Sequence, residues 1–209
     1  MKKIVYAAAL LASLYSCKTT QNLTSEDQSI ITKIDLVNVE DDKVKVSVDP
    51  AKITTEEISF FIPKTVPGTY STDNYGRFIE NFKAYDYDGN ELEFTHQDDN
   101  TWTINNAKAL DKVSYEVNDS YDIEGENGVF SPAGTNIDAS TNFMLNLHGF
   151  VGYFSKLQEK PYRIEIIKPN NLVGGTSLTV TTEDKNTEDN FSTDIFNVGR
   201  YFEVTDHPI

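Results

Sequence analysis

From Ile30 onward, apolar residues recur at every second position in short runs. Ile34-x-Leu36 and Val44-x-Val46-x-Val48 carry the two-residue period of strands with one buried face, joined by a turn at Asp41-Asp42-Lys43. Residues 58–62 form a compact apolar run closed by Pro63. Residues 101–104, 113–117, 162–167, 177–181 and 201–204 continue the theme, with prolines and glycines falling between the runs. The alternation Trp102-x-Ile104 places the indole beside an aliphatic neighbour and predicts core packing. Helical spacing is confined to residues 141–147, with Ser140 as its candidate cap. The stretch 119–136, rich in glycine, acidic residues and asparagine, predicts a long surface excursion, and 182–190 a polar loop. Asp86-x-Asp88-Gly89-Asn90 reads as a tight turn between two strands. It is no EF-hand loop, because the glycine comes too early and Gln97 stands where the bidentate glutamate belongs. The pattern therefore predicts an all-β (mainly β) chain: a single β-sandwich-like domain over residues 30–209, with at most one or two short helices. Its 11 Tyr and 12 Phe supply large side chains for packing sheet on sheet.

The first residues follow a different rule. Lys2 and Lys3 precede an apolar run, residues 4–14, that is too short to span a bilayer as a mature helix, so residues 1–16 read as a secretion signal. The run ends in Leu14-Tyr15-Ser16-Cys17, which has the order of a bacterial lipobox: an aliphatic residue, a small residue before the cut, then cysteine. Cys17 is the single cysteine of the chain. A free core cysteine is the alternative, and its place directly after the apolar run favours lipid attachment. A lone cysteine excludes an intramolecular disulfide framework and a cysteine-based metal cluster. Residues 17–29, dominated by Thr, Ser, Asn and Gln, read as a flexible tether. These features predict a protein of the bacterial cell envelope, held to a membrane through lipidated Cys17 and facing the periplasm or the outer-membrane surface. Loss of Lys2 and Lys3 with the signal takes the formal charge from −15 to −17. An acidic chain of this kind predicts no nucleic-acid partner, since phosphates would be repelled.

Chemistry is sparse. The three histidines, His96, His148 and His207, are never four residues apart, so no His-Glu-x-x-His helix exists in the chain. Gly-x-Ser-x-Gly and phosphate-binding glycine loops are missing too, and no catalytic residue or cofactor site is assigned. The most distinctive stretch is Ile62-Pro63-Lys64-Thr65-Val66-Pro67-Gly68-Thr69-Tyr70. Pro67-Gly68 is a turn signal that reverses the chain after a buried strand. It predicts a loop presenting Tyr70, Asp73, Asn74, Tyr75 and Arg77, either to line a cleft or to brace a domain interface.

That stretch, followed by Tyr75-Gly76-Arg77-Phe78-Ile79 and Phe82-x-Ala84, is similar to the signature region of the glycyl aminopeptidase family, the PDZ-containing, thermolysin-like zinc peptidases of metallopeptidase family sixty-one. Trp102, Val113-x-Tyr115-x-Val117, Leu147-His148-Gly149 and the closing residues 201–209 follow in the family's order, so the likeness covers residues 30–209. It implies an N-terminal β-domain that packs on a separate catalytic domain, its partner, and shapes the peptide cleft there. Zinc is expected only in that catalytic domain, which this chain does not contain. The alternative expectation is a free-standing surface lipoprotein that binds a peptide or glycan. If the domain packs on a catalytic domain, an exposed apolar patch is expected where that domain docks.

Overall fold

The computed structural model describes residues 29–122, 128–139, 141–186 and 190–209. In chain order the strands are β1 (Ile30–Glu40), β2 (Lys43–Asp49), β3 (Glu57–Phe61), β4 (Ile79–Asp86), β5 (Glu91–Leu92), β6 (Phe94–Asp98), β7 (Thr101–Asn105), β8 (Leu110–Asn118), β9 (Asn136–Asp138) and β10 (Asn142–Met144). After helix α1 (Leu147–Phe150) come β11 (Tyr153–Phe154), β12 (Tyr162–Pro169), β13 (Val180–Asn186) and β14 (Phe191–Val198), then helix α2 (Tyr201–Thr205). The β1–β2 turn is tight because Asp41 and Asp42 both take left-handed backbone angles, the requirement of the turn type that matches strand twist. The turn at Asp86 is fastened by its own carboxylate, which accepts from the Asp88 and Asn90 amides at 3.0 and 2.8 Å.

Eight strands form one sheet in the order β13-β14-β12-β1-β2-β8-β4-β5, and four form a second in the order β11-β3-β7-β6. β1 lies parallel to β12, with Ile30 opposite Tyr162, and every other pairing in the large sheet is antiparallel. The chain between these two neighbours therefore builds the whole second layer before it returns. Inward residues of β2 and β8 (Val44, Val46, Val48, Val113, Tyr115, Val117) are buried, as the alternation predicts. The layers meet at an aromatic cluster. Phe60 of β3 and Trp102 of β7 face Phe82 of β4 and Tyr115 of β8. Phe82 stacks on Trp102 at 4.9 Å, and Phe60 lies 5.6 Å from Tyr115. The fold is thus the expected β-sandwich with short helices, and Trp102 is a core residue.

Four local expectations are corrected. Residues 201–204 are helical: Tyr201 and Val204 are buried while Phe202 is exposed, the spacing of a helix face, and the Glu203 carboxylate accepts the Gly199 amide at 2.7 Å. Residues 142–144 are a strand, paired antiparallel with Asp138, Ile137 and Asn136, with half-buried Phe143 between exposed Asn142 and Met144; the helix begins only at Leu147, and Ser140 lies outside the described residues. Residues 182–186 belong to edge strand β13 and are paired along β14 despite their polarity. β14 escaped notice because its inward positions include Ser192 and Asp194, which meet Lys168 of β12. The Lys168 ammonium donates to Ser192 Oγ at 3.1 Å and to the Leu172 carbonyl at 3.2 Å, and lies 3.5 Å from Asp194. The base of the 119–136 excursion is buried. Asp119 accepts the Tyr121 and Ile137 amides, and Ser120 bonds Thr135; residues 123–127 lie outside the described residues.

Thr32 sits fully buried on β1 between Val48 and Ile164. Its hydroxyl finds no hydrogen-bond partner among the described residues. Replacing an unbonded hydroxyl by a methyl of the same shape removes a desolvation cost. Thr32→Val is expected to raise the stability by about 1 kcal/mol, read as a higher urea midpoint at an unchanged slope. A lower midpoint would show that a bound water satisfies the hydroxyl.

Candidate functional site

β3 ends at Phe61, and the chain leaves the small sheet through Ile62 and Pro63, both buried. Val66–Thr69 closes as a turn, with the Thr69 amide donating to the Val66 carbonyl at 3.3 Å. Gly68 takes φ +93°, the glycine-favouring third position of a type II turn. The Thr69 hydroxyl reinforces it with a 2.8 Å bond to the same carbonyl. The arm is tied down again on its return, where the Asn74 amide donates to Lys64 and the Tyr75 amide to Pro63 at 3.0 and 3.2 Å.

The five candidate residues divide sharply by environment. Tyr70 is fully exposed, at φ +57°. Asp73 and Tyr75 point inward and are buried. Asp73 accepts from Ser71 Oγ at 2.8 Å and from the Tyr75 hydroxyl at 3.1 Å. Burial, followed by the Asp73 charge and hydrogen bond, pushes the Tyr75 phenol well above its ordinary value. Asn74, half-buried with left-handed backbone, bonds Asn100 Nδ2 through its side-chain oxygen at 3.2 Å. Arg77 is exposed, with its guanidinium 4.7 Å from the centre of the Phe78 ring. The structure therefore brings Asp73 and Tyr75 together as the base of the loop and leaves Tyr70 as its projecting tip.

Gly76 shows why the base cannot shift. A Cβ there would lie 2.0 Å from the Asp99 carbonyl oxygen, and the Gly76 amide donates to Asn100 Oδ1 at 3.0 Å. The short 3-10 turn from Tyr75 to Phe78 is thereby pressed onto the β6–β7 hairpin. On the opposite side, Tyr75 meets His148 of α1 edge-on at 4.6 Å between ring centres. His148 Nε2 lies 3.0 Å from the Ala133 carbonyl, so the neutral ring donates its proton there. Burial lowers the His148 pKa below 6.5, against the opposing pull of the Ala133 and Thr205 carbonyls and the Asp73 charge.

Beside the loop lies a cleft of about 410 Å³, with Pro63, Val66 and Pro67 on one wall and Tyr153, Tyr201 and Phe202 on the other. Phe61 stacks on Tyr153 at 5.1 Å, and Tyr153 lies 4.7 Å from Tyr201. The Tyr201 hydroxyl donates to the Val151 carbonyl at 2.7 Å, and the Tyr115 hydroxyl to Phe150 at 2.7 Å. These aromatics were not singled out as site residues. The sequence marks them only as tyrosines next to glycine or arginine, and their convergence depends on the α2 helix that the alternation concealed. Among the described residues, no three histidine, cysteine, aspartate or glutamate side chains gather as a metal site. His96 stacks on Trp102, and His207 bonds the Glu203 carbonyl.

The sequence model described as the peptidase M61 N-terminal domain matches residues 32–209. Among curated protein sequences, none matches the chain. Of solved structures, an aminopeptidase N family protein from Idiomarina loihiensis superposes with a TM-score of 0.67 at 16% identity, covering 86% of this chain. The chain spans 28% of the length of that protein. An M1 zinc metallopeptidase from Deinococcus radiodurans, an E323A mutant bound to a Tyr-Ser-Ala substrate, gives a TM-score of 0.45 at 10% identity, covering 81% of this chain and 38% of its own.

His148 also generates a pH prediction. In the folded protein the neutral ring is favoured, whereas the unfolded chain takes up a proton near 6.5. The unfolded state then binds more protons below that pH, so stability is untouched by His148 above it and falls as the pH drops through it. Urea midpoints of the native protein are expected to decline from about pH 7 to about pH 5 more steeply than those of His148→Gln. Parallel profiles would show that His148 carries no such linkage.

Proposed function

The chain belongs to the peptidase M61 N-terminal domain family, and from that premise we propose that it is the non-catalytic N-terminal β-domain of a lipid-anchored zinc aminopeptidase, packing on the catalytic domain and shaping its peptide cleft. The observation that carries this reading is Tyr70. Its side chain is entirely exposed on a left-handed backbone, a conformation that costs of order 1 kcal/mol for a non-glycine residue. It is nevertheless held there by a base whose polar groups are bonded internally. With the backbone beneath it already fixed, an exposed aromatic side chain gives up only its own two rotamer angles on contact, which suits an interface anchor. The adjoining aromatic cleft and the exposed Phe202, 58% accessible, extend the same surface. In this reading Tyr70, Asn74 and Arg77 face the partner, while Asp73 and Tyr75 hold the loop that carries them. Zinc belongs to the catalytic domain.

Tyr70→Ala is expected to leave the thermal midpoint of the domain unchanged, because the side chain touches nothing that folding buries. It is expected to weaken association with the catalytic domain of the same peptidase, measured by calorimetry, by about tenfold or more, the range of an aromatic anchor. Unaltered affinity would remove Tyr70 from the interface. Failure of the two polypeptides to associate at all would favour a free-standing lipoprotein that binds a peptide or glycan.

The anchor is Cys17, outside the described residues. Among the described residues no helix is long and apolar enough to cross a membrane. Acylation of Cys17 supplies membrane affinity in proportion to its buried methylenes. Cys17→Ser is expected to abolish incorporation of labelled palmitate and to shift the protein from the membrane pellet to the soluble fraction. Persistent label would sink the assignment.

A further inference from the structure

The last residues of the chain begin a ladder. Leu145 and Ile209 exchange both backbone bonds, at 2.7 and 3.0 Å, and Asn146 bridges Pro208 antiparallel. Hydrogen-bonded pairs in an antiparallel ladder recur at every second residue. The N–H and C=O of Phe143 therefore point to the same edge of β10 as those of Leu145, while Met144 and Asn142 turn toward β9, where they pair Asn136 and Asp138. Among the described residues, β9 is the sole strand hydrogen-bonded to β10. Beside the open edge lies a cleft of about 380 Å³ lined by Leu36, Phe143, Ile166, Leu172, Val173 and Ile209. At its mouth Val173 is 94% exposed. The charged groups on its wall, Lys168 and Asp194, face each other, Thr141 and Asn142 add polar groups, and the remaining side chains of the lining are apolar.

We propose that the polypeptide following Ile209, where this domain is joined to a catalytic domain, adds to the free edge of β10 as a third, antiparallel strand. Its second residue forms the next hydrogen-bonded pair with Phe143. Cross-strand partners share a face, so that residue projects with Ile209 and Phe143 over the apolar cleft, and an apolar side chain belongs there. The first residue pairs Met144 and faces outward. This inference rests on the reading that the domain precedes a catalytic domain, and it names the surface where the connection is made. Main-chain bonds supply the affinity and the cleft supplies the side-chain preference, as in strand addition generally. Attachment at Ile209 makes the pairing intramolecular, which raises the effective concentration of the added strand.

The test appends Thr-Val-Thr-Val-Thr to Ile209 of the full chain, with Pro-Gly-Pro-Gly-Ser appended as the control. Amide hydrogen exchange at Phe143 is expected to slow by about tenfold or more with the first extension and to stay unchanged with the second. A cross-strand Hα–Hα Overhauser contact is expected between Met144 and the first appended residue, because partners outside the hydrogen-bonded pairs lie closest. Equal exchange in both proteins, with no such contact, overturns the proposal. The two failures are distinguishable: protection of Phe143 without binding to a catalytic domain would refute the functional reading and leave only the strand-accepting edge, and binding without protection would refute the strand and leave the functional reading.

Discussion

The interlock of Phe60, Phe82, Trp102 and Tyr115 is the contact on which the remaining structure depends. It is where two sheets of unequal width, eight strands and four, are held face to face. Each aromatic buries on the order of 150–250 Å², more than any aliphatic residue of the core. Its second consequence is directional. Tyr115 spans the layer and donates its hydroxyl to the Phe150 carbonyl. Tyr201 does the same to the neighbouring Val151. The two hydroxyls thus fix the end of α1, and α1 carries His148, against which Tyr75 leans. The candidate loop is positioned by the core through three successive side chains.

This chain of contacts explains how the loop can hold Tyr70 and Asn74 at left-handed backbone angles. Tyr70 holds an unfavourable backbone angle with no side-chain contact to compensate it. The compensation lies below, in Asp73 bonded by Ser71 and Tyr75 and in the Gly76 approach to Asp99, which admits no other residue. A buried carboxylate is costly unless bonded, and both the serine and the tyrosine satisfy it locally. A loop that simply linked β3 to β4 would need none of this.

How much of this was legible in the sequence depends on whether neighbours along the chain or partners across it decide the outcome. Strands with clean alternation, β1, β2, β7, β8 and β12, were readable, and so was the Asp86 turn, whose bonds are all local. The Pro67-Gly68 turn was readable for the same reason. What stayed hidden was set across the sheet. β14 carries Ser192 and Asp194 at inward positions, and these make sense only opposite Lys168 on β12. The run Tyr201-Phe202-Glu203-Val204 is too short and too aromatic to declare a helix by composition, and its helical spacing emerges only when Tyr201 and Val204 are seen buried with Phe202 exposed. Within the loop, composition marked five polar and aromatic residues alike. Only the layer beneath shows that Asp73 and Tyr75 support and Tyr70 projects.

Both clefts share one element. Tyr201, Phe202 and Thr205 line the aromatic cleft beside the loop, and Pro208 and Ile209 line the apolar cleft beside β10. A segment of nine residues, 201–209, thus separates two concave apolar surfaces. On one side it presents Phe202, and on the other its backbone starts a ladder along an unpaired edge. Exposed apolar surface and an open strand edge are each a liability in an isolated domain. Their occurrence on either side of one segment has a single economical physical account. On the proposed reading one partner covers both, with aromatic contacts at Tyr70 and Phe202 and backbone pairing at Phe143. The two contacts act in one piece because the α2 helix is fixed to the core through Tyr201 and Val204. Tyr201, which bonds the Val151 carbonyl next to the core, stands at the start of this segment and ties it to the sandwich.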